Sequence, residues 1–402
     1  MSRVVFLGLP CIPHTNPTFG WVKELVNQGE EVIYYTVESL RETIEKTGAV
    51  FQSYQEIPGQ PPNDRGVSFE QLMKHSIRIM QDNTYVANCI FDGYRGKKPD
   101  YIIYDTTALW GKIIAQRWNI PSISSSCTFT YTEAMLDKEF EYVMTNIIGM
   151  HEDYLKDPGQ TIRMIRSLQQ KIGKLFNFEN FGYFATGSIN LVYTSKLFQP
   201  FAEYFDDSYK FVGPQLYNRN DVLDFPVEIL ADSLIYITMG TTFNKKPDFY
   251  LKCFEALKEI ELQVVMAVGK DFDISTLGSI PNHFIVKNYV PQLEVIQRAK
   301  LLITAGGLGT VSESIYYGTP LMVCPQGADQ FLVANQIEKF KVGVRINNET
   351  SAEEIKLLAT RMLNDDQYRE NLALVGDSFR AAGGVRRAVE EVLKFKEKYG
   401  IQ

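Results

Sequence analysis

The sequence has few of the residues that form disulfides or metal sites. Its 402 residues include five cysteines, an odd number with no CxxC pair, and four histidines, none spaced with another His or Cys as metal ligands usually are. Disulfide frameworks usually show an even number of clustered cysteines, so we expect a reduced chain. We predict no metal and no cofactor, and a reduced chain of this kind is typical of a cytoplasmic protein.

Long apolar runs are also missing. No stretch approaches the ~18 consecutive apolar residues that predict a membrane span. The apolar run at residues 4–9 is too short for a signal peptide and no small-residue cleavage site follows it, so it is better interpreted as a first strand. The formal net charge of -7 disfavours a broad surface for a polyanion. We therefore expect neither a membrane span nor a nucleic-acid partner.

Two nucleotide-binding motifs are absent as well. The chain has no Gly-Lys-Ser/Thr ending of a P-loop, and no acidic residue at the distance from a GxGxxG turn that dinucleotide binding requires. These absences leave room for a single nucleotide, because the N–H groups at a helix start hold phosphate without either motif.

What is present is an ordinary composition with a repeated βα pattern. Hydrophobic residues make up 45% and charged ones 22%, so nothing indicates disorder, and 402 residues suffice for two domains. Short apolar runs followed by helical patterns predict an α/β fold with a doubly wound parallel sheet in each half. The predicted strands lie at residues 4–9, 31–36, 50–54, 100–105, 120–125, 189–194, 211–213, 234–238, 264–269, 284–286, 301–304 and 321–324.

The pattern also predicts where the domains divide. The first domain is expected at residues 1–213, a polar linker at 214–226 and the second domain at 227–380. A last helix within residues 381–402 is expected to pack back on the first domain. Residues 130–184 change to helices rich in aromatic, Met and Ile residues, which either line a pocket for a flat apolar molecule or pack a core.

The most informative stretch is residues 303–330. There a strand, a glycine turn and a helix follow one another, and the N–H groups and dipole of the new helix favour a phosphate. Asp329 and Gln330 come after the next strand, where another helix begins. The alternative is an ordinary turn, with Glu313 on a solvated helix face and Asp329 as an N-cap.

Other polar residues follow predicted strands, where open parallel sheets bind their ligands. His14 follows the first strand, and Asp105 is placed to hold its imidazole in one tautomer. A helix predicted to begin at Pro17, capped by Asn16, favours a neutral imidazole, which is a usable general base. The alternatives are a histidine bonded to a backbone carbonyl and an Asp105 that caps the next helix.

In the second half, Thr241 and Thr242 follow a strand and offer donors to a phosphate. Tyr289 could stack on a base and Gln292 could bond a ribose hydroxyl. A plain βα turn and an exposed loop tyrosine explain the same pattern without a ligand.

The order and spacing of these motifs resemble one known family. The second half is similar to the donor half of UDP-sugar glycosyltransferases of the two-domain GT-B type, especially the bacterial macrolide- and flavonoid-modifying enzymes. The N-terminal PHTNPTFGWVKEL resembles that family's stretch with a base histidine, and the resemblance covers nearly the whole chain, least across residues 130–184. The motifs are VPQ at 290–292, GGxGT at 306–310, Glu313, GTPL at 318–321 and Asp329-Gln330.

This resemblance implies two Rossmann-like domains facing a central cleft, with His14 as catalytic base and Asp105 as its partner. It also implies a donor site, in which positions match contacts to uracil, ribose, diphosphate and sugar. These positions are Tyr289 at the base, Gln292 and Glu313 at the ribose, Gly307, Gly309, Thr310, Thr241 and Thr242 around the diphosphate, and Asp329 and Gln330 at the sugar. Val290 also belongs to the implied donor site. One departure is Ala305, where the family normally has a histidine that contacts the diphosphate.

The implied function is that of an inverting glycosyltransferase. It would move a sugar, glucose in the first instance, from a UDP-sugar co-substrate to a hydroxyl of a small hydrophobic acceptor such as a flavonoid, another phenolic or a macrolide. No metal is implied. Ala305 is expected to weaken UDP-sugar binding and to lower activity. The alternatives are a non-catalytic UDP-sugar-binding protein and a UDP-sugar epimerase on the same fold.

Overall fold

The computed structural model describes residues 2–54, 69–139, 185–217, 225–241, 244–327 and 329–402, together with residues 163 and 167. Most of the aromatic-rich segment at residues 130–184 and the candidate donor residue Thr242 lie outside the described residues. The chain forms two compact units. One comprises Met1–Thr194, Phe201–Gln215 and Gly383–Gln402, and the other comprises Ser195–Pro200 and Leu216–Ala382.

The first unit is built on a seven-stranded sheet in which all paired strands are parallel. Its strands are β1 (Arg3–Leu7), β2 (Glu31–Thr36), β3 (Val50–Ser53), β4 (Tyr101–Asp105), β5 (Ser122–Ser126), β6 (Ile189–Val192) and β7 (Tyr209–Phe211). Their order is β3-β2-β1-β4-β5-β6-β7. Its helices are α1 (Ile12–Thr15), α2 (Phe19–Asn27), α3 (Arg41–Glu45), α4 (Phe69–Gly93), α5 (Leu109–Trp118) and α6 (Glu133–Lys138).

The second unit has a six-stranded parallel sheet. Its strands are β8 (Leu234–Thr238), β9 (Gln263–Ala267), β10 (Phe284–Lys287), β11 (Ala299–Thr304), β12 (Leu321–Val323) and β13 (Gly343–Arg345). Their order is β10-β9-β8-β11-β12-β13. Its helices are α7 (Pro247–Leu257), α8 (Gln292–Arg298), α9 (Leu308–Tyr317), α10 (Gln330–Lys339), α11 (Ala352–Asn364) and α12 (Gln367–Ala382).

The predicted doubly wound parallel sheet in each half is confirmed. The two sheets share one strand order over six strands, in which the third strand of each lies at one edge and the first strand beside the fourth. Central strands are buried on both faces: all five residues of β4 and all five of β8 are buried. The carboxyl ends of β1, β4 and β5 therefore meet at one edge of the first sheet, and those of β8, β11 and β12 at one edge of the second.

The chain after β1 differs from the prediction. It enters α1 at Ile12, continues through a short 3-10 helix at Asn16–Thr18 and only then forms α2. Proline is tolerated in a first helical turn because its missing N–H would have no partner there, so Pro13 allows the early start. Asn16 has helical φ and ψ and is the C-cap residue of α1, so its predicted N-cap role is wrong. His14 lies inside α1 and not in a turn before a helix.

The last helix, α13 (Gly384–Lys398), belongs to the first unit. Gly384 N–H donates to the carbonyl of Val212 at 2.7 Å, and the rings of Phe395 and Tyr101 are 5.7 Å apart. Near its end, the Lys396 ammonium pairs with the carboxylate of Glu30. Among the helices of the described residues, none has the length and apolar character needed to cross a membrane.

Candidate active site and donor site

The first unit brings His14 and Asp105 together. Asp105 is the last residue of β4, and α1 follows β1, the neighbouring strand, so both side chains lie at the same edge of the sheet. His14 Nδ1 is 2.8 Å from Asp105 Oδ2. The other carboxylate oxygen, Oδ1, accepts from the backbone N–H of Thr107 at 2.8 Å and from its hydroxyl at 2.5 Å. The carboxylate is thus fixed on both sides and holds the imidazole.

This arrangement decides which nitrogen of His14 is available. A neutral imidazole whose Nδ1–H donates to Asp105 leaves the lone pair of Nε2 to accept a proton. The side-chain exposure is 15% for His14 and 4% for Asp105, so water screens the pair weakly. The geometry therefore suits a general base, although Oδ1 of Asp105 also closes a local turn with Thr107.

The electrostatic expectation for His14 was wrong. Burial alone lowers the pKa of His14, but the carboxylate of Asp105 and, after it, the thiol group of Cys127 raise it, and the resulting pKa lies well above the usual range. A helix start was expected to favour the neutral imidazole, but α1 already contains His14, so that dipole does not act as predicted. The carboxylate of Asp105 therefore favours the protonated imidazole more than water does around a free histidine.

Cys127 is the residue that sequence reasoning missed. It follows β5, the strand next to β4, and its Sγ lies within 4.8 Å of the nearest ligand-type atoms of both His14 and Asp105. The signal was present in the sequence: Cys127 comes two residues after the strand predicted at residues 120–125, just as His14 and Asp105 follow or end their own strands. It was counted among scattered cysteines because only the strand order shows which strand ends are neighbours.

The second unit contains the glycine turn. Gly306 has φ of +89°, which favours glycine, and it leads into Gly307, the residue before α9. No side chain caps α9, so the backbone N–H groups at its start have no side-chain acceptor from a cap residue. A methyl group added at Gly307 or Gly309 would meet no heavy atom within 4 Å. The turn thus combines helix N–H groups with open space.

The residues matched to ribose contacts meet in one cluster. Gln292 Nε2, at the start of α8, donates to Glu313 Oε2 at 2.5 Å and to the Thr310 hydroxyl at 3.3 Å. The Tyr236 hydroxyl donates to Gln292 Oε1 at 3.3 Å. Glu313 and Thr310 both lie on α9, one turn apart, so α8 and α9 are joined by this amide. The structure therefore places three of the candidate donor residues side by side.

The loop between β10 and α8 contains Tyr289 and Val290, which precede Gln292. Tyr289 is 46% exposed, whereas Val290 is buried and packs in the core of the unit. An exposed ring next to the Gln292 cluster is placed to stack on a flat ligand.

Asp329 and Gln330 lie where α10 begins. Asp329 occupies the N-cap position of α10, as the alternative expected, but its side chain makes no capping hydrogen bond there. Gln330 Oε1 accepts from the N–H of Gln326 at 2.8 Å and of Gly327 at 3.3 Å. Because both lone pairs of that oxygen are engaged, the amide N–H groups of Gln330 are what it can offer to a ligand.

Two further candidate donor residues, Ala305 and Thr241, differ in exposure. Ala305 is 1% exposed and belongs to the hydrophobic core of its unit. Thr241 is exposed and follows Gly240, whose φ is +74°. The side chain of Asn244 donates to the carbonyls of Gly240 at 3.1 Å and Thr241 at 3.4 Å, which fixes this turn beyond β8.

Comparison with known proteins shows to which family the chain belongs. The chain is 34% identical over 403 aligned residues to an uncharacterised UDP-glucosyltransferase, YojK, of Bacillus subtilis (strain 168), covering 98% of this chain and 97% of the relative. It belongs to the UDP-glycosyltransferase family. The NDP-glycosyltransferase YjiC of Bacillus licheniformis is 28% identical over 100% of this chain and 99% of its own.

The other comparisons concern the second unit and the fold of this glycosyltransferase. Residues 252–387 match the model of the erythromycin biosynthesis protein CIII-like C-terminal domain. The crystal structure of CalG4, the calicheamicin glycosyltransferase, superposes with a TM-score of 0.79 at 22% identity, covering 99% of this chain and 98% of that one. The glycosyltransferase thus has the GT-B fold that its motifs implied.

Proposed function

We propose that this glycosyltransferase moves a sugar, glucose in the first instance, from a UDP-sugar to a hydroxyl of a small hydrophobic acceptor, with inversion at the anomeric carbon. The observation that carries the proposal is the 2.8 Å contact between His14 Nδ1 and Asp105 Oδ2 at the carboxyl edge of the first sheet. A buried carboxylate that fixes an imidazole is the arrangement that general-base catalysis on a hydroxyl needs.

In the proposed step, Nε2 of neutral His14 accepts the proton of the acceptor hydroxyl. The hydroxyl oxygen forms a bond to the anomeric carbon, and the bond between that carbon and the diphosphate oxygen breaks. UDP leaves with the electron pair, and a single displacement inverts the anomeric centre. Asp105 stabilises the imidazolium that forms, because its carboxylate already accepts from Nδ1.

The second unit supplies the proposed donor site. Uracil would stack on Tyr289, and the ribose hydroxyls would bond Gln292 and Glu313, which the structure holds together. The diphosphate would lie at the uncapped start of α9, where N–H groups and the Thr310 hydroxyl oppose the charge that grows on the leaving UDP. The proposal assigns no metal to this step.

The remaining roles concern the sugar and the acceptor. Asp329 and the amide N–H groups of Gln330 would bond sugar hydroxyls, and Thr241 would add a donor near the diphosphate. The acceptor is proposed to be a macrolide, a flavonoid or another phenolic compound, and the match of residues 252–387 to the erythromycin biosynthesis protein CIII-like C-terminal domain supports the macrolide.

The test is a product analysis. The enzyme is incubated with UDP-glucose, other UDP-sugars or dTDP-glucose and with phenolic or macrolide acceptors, and the products are identified by mass spectrometry and NMR. We expect a β-glucoside of an acceptor from UDP-glucose, since the donor is an α-anomer. An α-glucoside would contradict inversion, and an isomerised free UDP-sugar would indicate an epimerase.

A further inference from the structure

The surroundings of His14 contain more than a base and its partner. One ring nitrogen of His14, one carboxylate oxygen of Asp105 and the Sγ of Cys127 all lie within 4.8 Å of one another. Within the ranges that the structure describes, no other three His, Cys, Asp or Glu side chains converge in this way. An imidazole, a carboxylate and a thiol thus lie close together at the carboxyl ends of β1, β4 and β5.

The separations are close to those around a single metal ion. In a tetrahedral zinc site, bonds of about 2.0–2.3 Å place the ligand atoms roughly 3.3–3.6 Å apart. His14 Nδ1 and Asp105 Oδ2, now 2.8 Å apart, would open slightly, and a pair near the 4.8 Å limit would close by about 1 Å. Rotation of the Cys127 side chain, which lies beyond the end of β5, is enough for a change of that size.

The ligand set selects the class of ion. Thiolate and imidazole suit zinc and similar transition metals, whereas Mg²⁺ and Ca²⁺ prefer sites made of oxygen atoms. One thiolate and one carboxylate together neutralise a divalent charge, which favours the ion in a site where Asp105 is buried. Three protein ligands leave a fourth position for water.

We propose that His14, Asp105 and Cys127 bind a divalent transition-metal ion of the zinc type, and that this ion inhibits the enzyme. On binding, the Cys127 thiol and the coordinating nitrogen of His14 release their protons to solvent, and each of the three side chains donates a lone pair to the ion. The proposal that the ion inhibits transfer rests on the proposed function, because the ion would inhibit by binding His14, the proposed general base. Metal binding itself does not depend on that function.

The experiment uses Co²⁺ as an optical probe of the full-length enzyme after treatment with a chelator. We expect one Co²⁺ per chain, with a near-ultraviolet thiolate-to-cobalt band that Zn²⁺ abolishes by displacement. Cys127→Ser should lose the band and bind Zn²⁺ at least about 10-fold more weakly, since even outer-shell changes cost 10- to 100-fold. Cys89→Ser, a change at another partly exposed cysteine of the same unit, should keep both.

A second measurement guards against a Cys127→Ser variant that fails to fold. In the unaltered enzyme, Zn²⁺ should slow the alkylation of Cys127 by iodoacetamide and leave that of Cys89 unchanged, as mapped by peptide mass spectrometry. The absence of a thiolate band in the unaltered enzyme, or equal protection of both cysteines, would overturn the metal site.

The activity assay separates this proposal from the proposed function. Zn²⁺ should inhibit transfer, and a chelator should restore it. If Zn²⁺ displaces Co²⁺ and abolishes the thiolate band while transfer continues unchanged, the metal site stands and the role of His14 as base is the part that fails.

Discussion

At the scale of single residues, the proposed base His14 should determine how activity depends on pH. A general base must be deprotonated, so a pKa raised above the usual imidazole range moves the rising limb of the kcat/KM profile to higher pH. The groups that face His14 are Asp105, Cys127 and Cys11. Asp105 is the largest of the influences that raise this pKa, and Cys127 is the next.

We therefore expect Asp105→Asn to move that limb to lower pH and to lower the plateau, because the imidazole also loses the partner that orients it. The profile is measured with a chelator present. Cys127→Ser should give a smaller shift in the same direction, and Cys89→Ser none. If the midpoint of the rising limb of the kcat/KM profile is unchanged in Asp105→Asn, that limb reflects the titration of a group other than His14.

Ala305 is the second residue with a measurable consequence. A histidine there would offer an N–H to the diphosphate, and hydrogen bonds to charged groups contribute about 1.5–3 kcal/mol. We expect Ala305→His to raise kcat/KM for the donor by roughly 10- to 100-fold, the factor those energies imply. Because Ala305 is buried in the core, the larger ring should also lower the Tm.

The matched control is Ala305→Leu, which adds comparable bulk without a donor. It should lower the Tm and leave donor kinetics no better than before. Equal kinetics for the histidine and leucine variants would mean that position 305 does not contact the diphosphate.

At the scale of elements, the strand, glycine turn and helix around residues 301–317 could be predicted because their signals are local. The apolar run, the glycines and the helical pattern lie within a few residues of one another. The strand was predicted at residues 301–304, and β11 begins two residues earlier, at Ala299. The three-residue β13 was missed, since so short a segment shows no periodicity. The cluster of Gln292, Thr310 and Glu313 follows from the packing of α8 against α9, although the resemblance had singled out each residue.

A substitution at Gly309 can separate an effect on the stability of α9 from an effect on binding of the proposed diphosphate. It lies in the first turn of α9, and a methyl group there would meet no protein atom within 4 Å. Gly309→Ala should therefore keep or raise the Tm, since alanine favours a helix by up to about 1 kcal/mol, yet it should raise KM for the UDP-sugar by crowding the diphosphate. Isothermal titration with UDP and thermal melting measure the two effects.

Gly318→Ala is the contrasting variant. Gly318 follows α9 with φ of +76°, so alanine should lower the Tm through backbone strain and leave UDP binding unchanged. If Gly309→Ala binds UDP as the parent does, the diphosphate is held elsewhere.

At the scale of the whole molecule, a doubly wound parallel sheet in each half could be predicted from alternation alone, but the order of the strands could not. Neighbouring strand ends bring His14 to Asp105, 91 positions apart, a pair that both their places after predicted strands and the resemblance had singled out. Cys127 joined them unpredicted, because the strand order that places its strand end beside theirs does not follow from the sequence pattern. The small segment Ser195–Pro200 belongs to the second unit, where the side-chain amide of Gln336 donates to the carbonyl of Phe198 at 2.6 Å.

The C-terminal helix contributes to the stability of the first unit through a buried ion pair. Glu30 has a side-chain exposure of 3% and accepts from Ser2 at 2.6 Å and Tyr101 at 3.1 Å as well as from Lys396. Lys396→Ala would leave a buried charge without its cation and should cost about 3–5 kcal/mol. Exposed Lys398→Ala should stay within about 0.5 kcal/mol in the same urea titration. Equal midpoints for the two variants would contradict this role.

The central claim is that His14 removes the acceptor proton while the second unit holds the UDP-sugar. The direct test is the rate of glucoside formation by His14→Ala, with UDP affinity measured on the same preparation and His283→Ala, a histidine bonded to a backbone carbonyl, as control. We predict a fall of about 10²–10⁴ in kcat with UDP affinity unchanged, and little change in the control. A His14→Ala enzyme that forms glucoside as fast as the parent would contradict the claim.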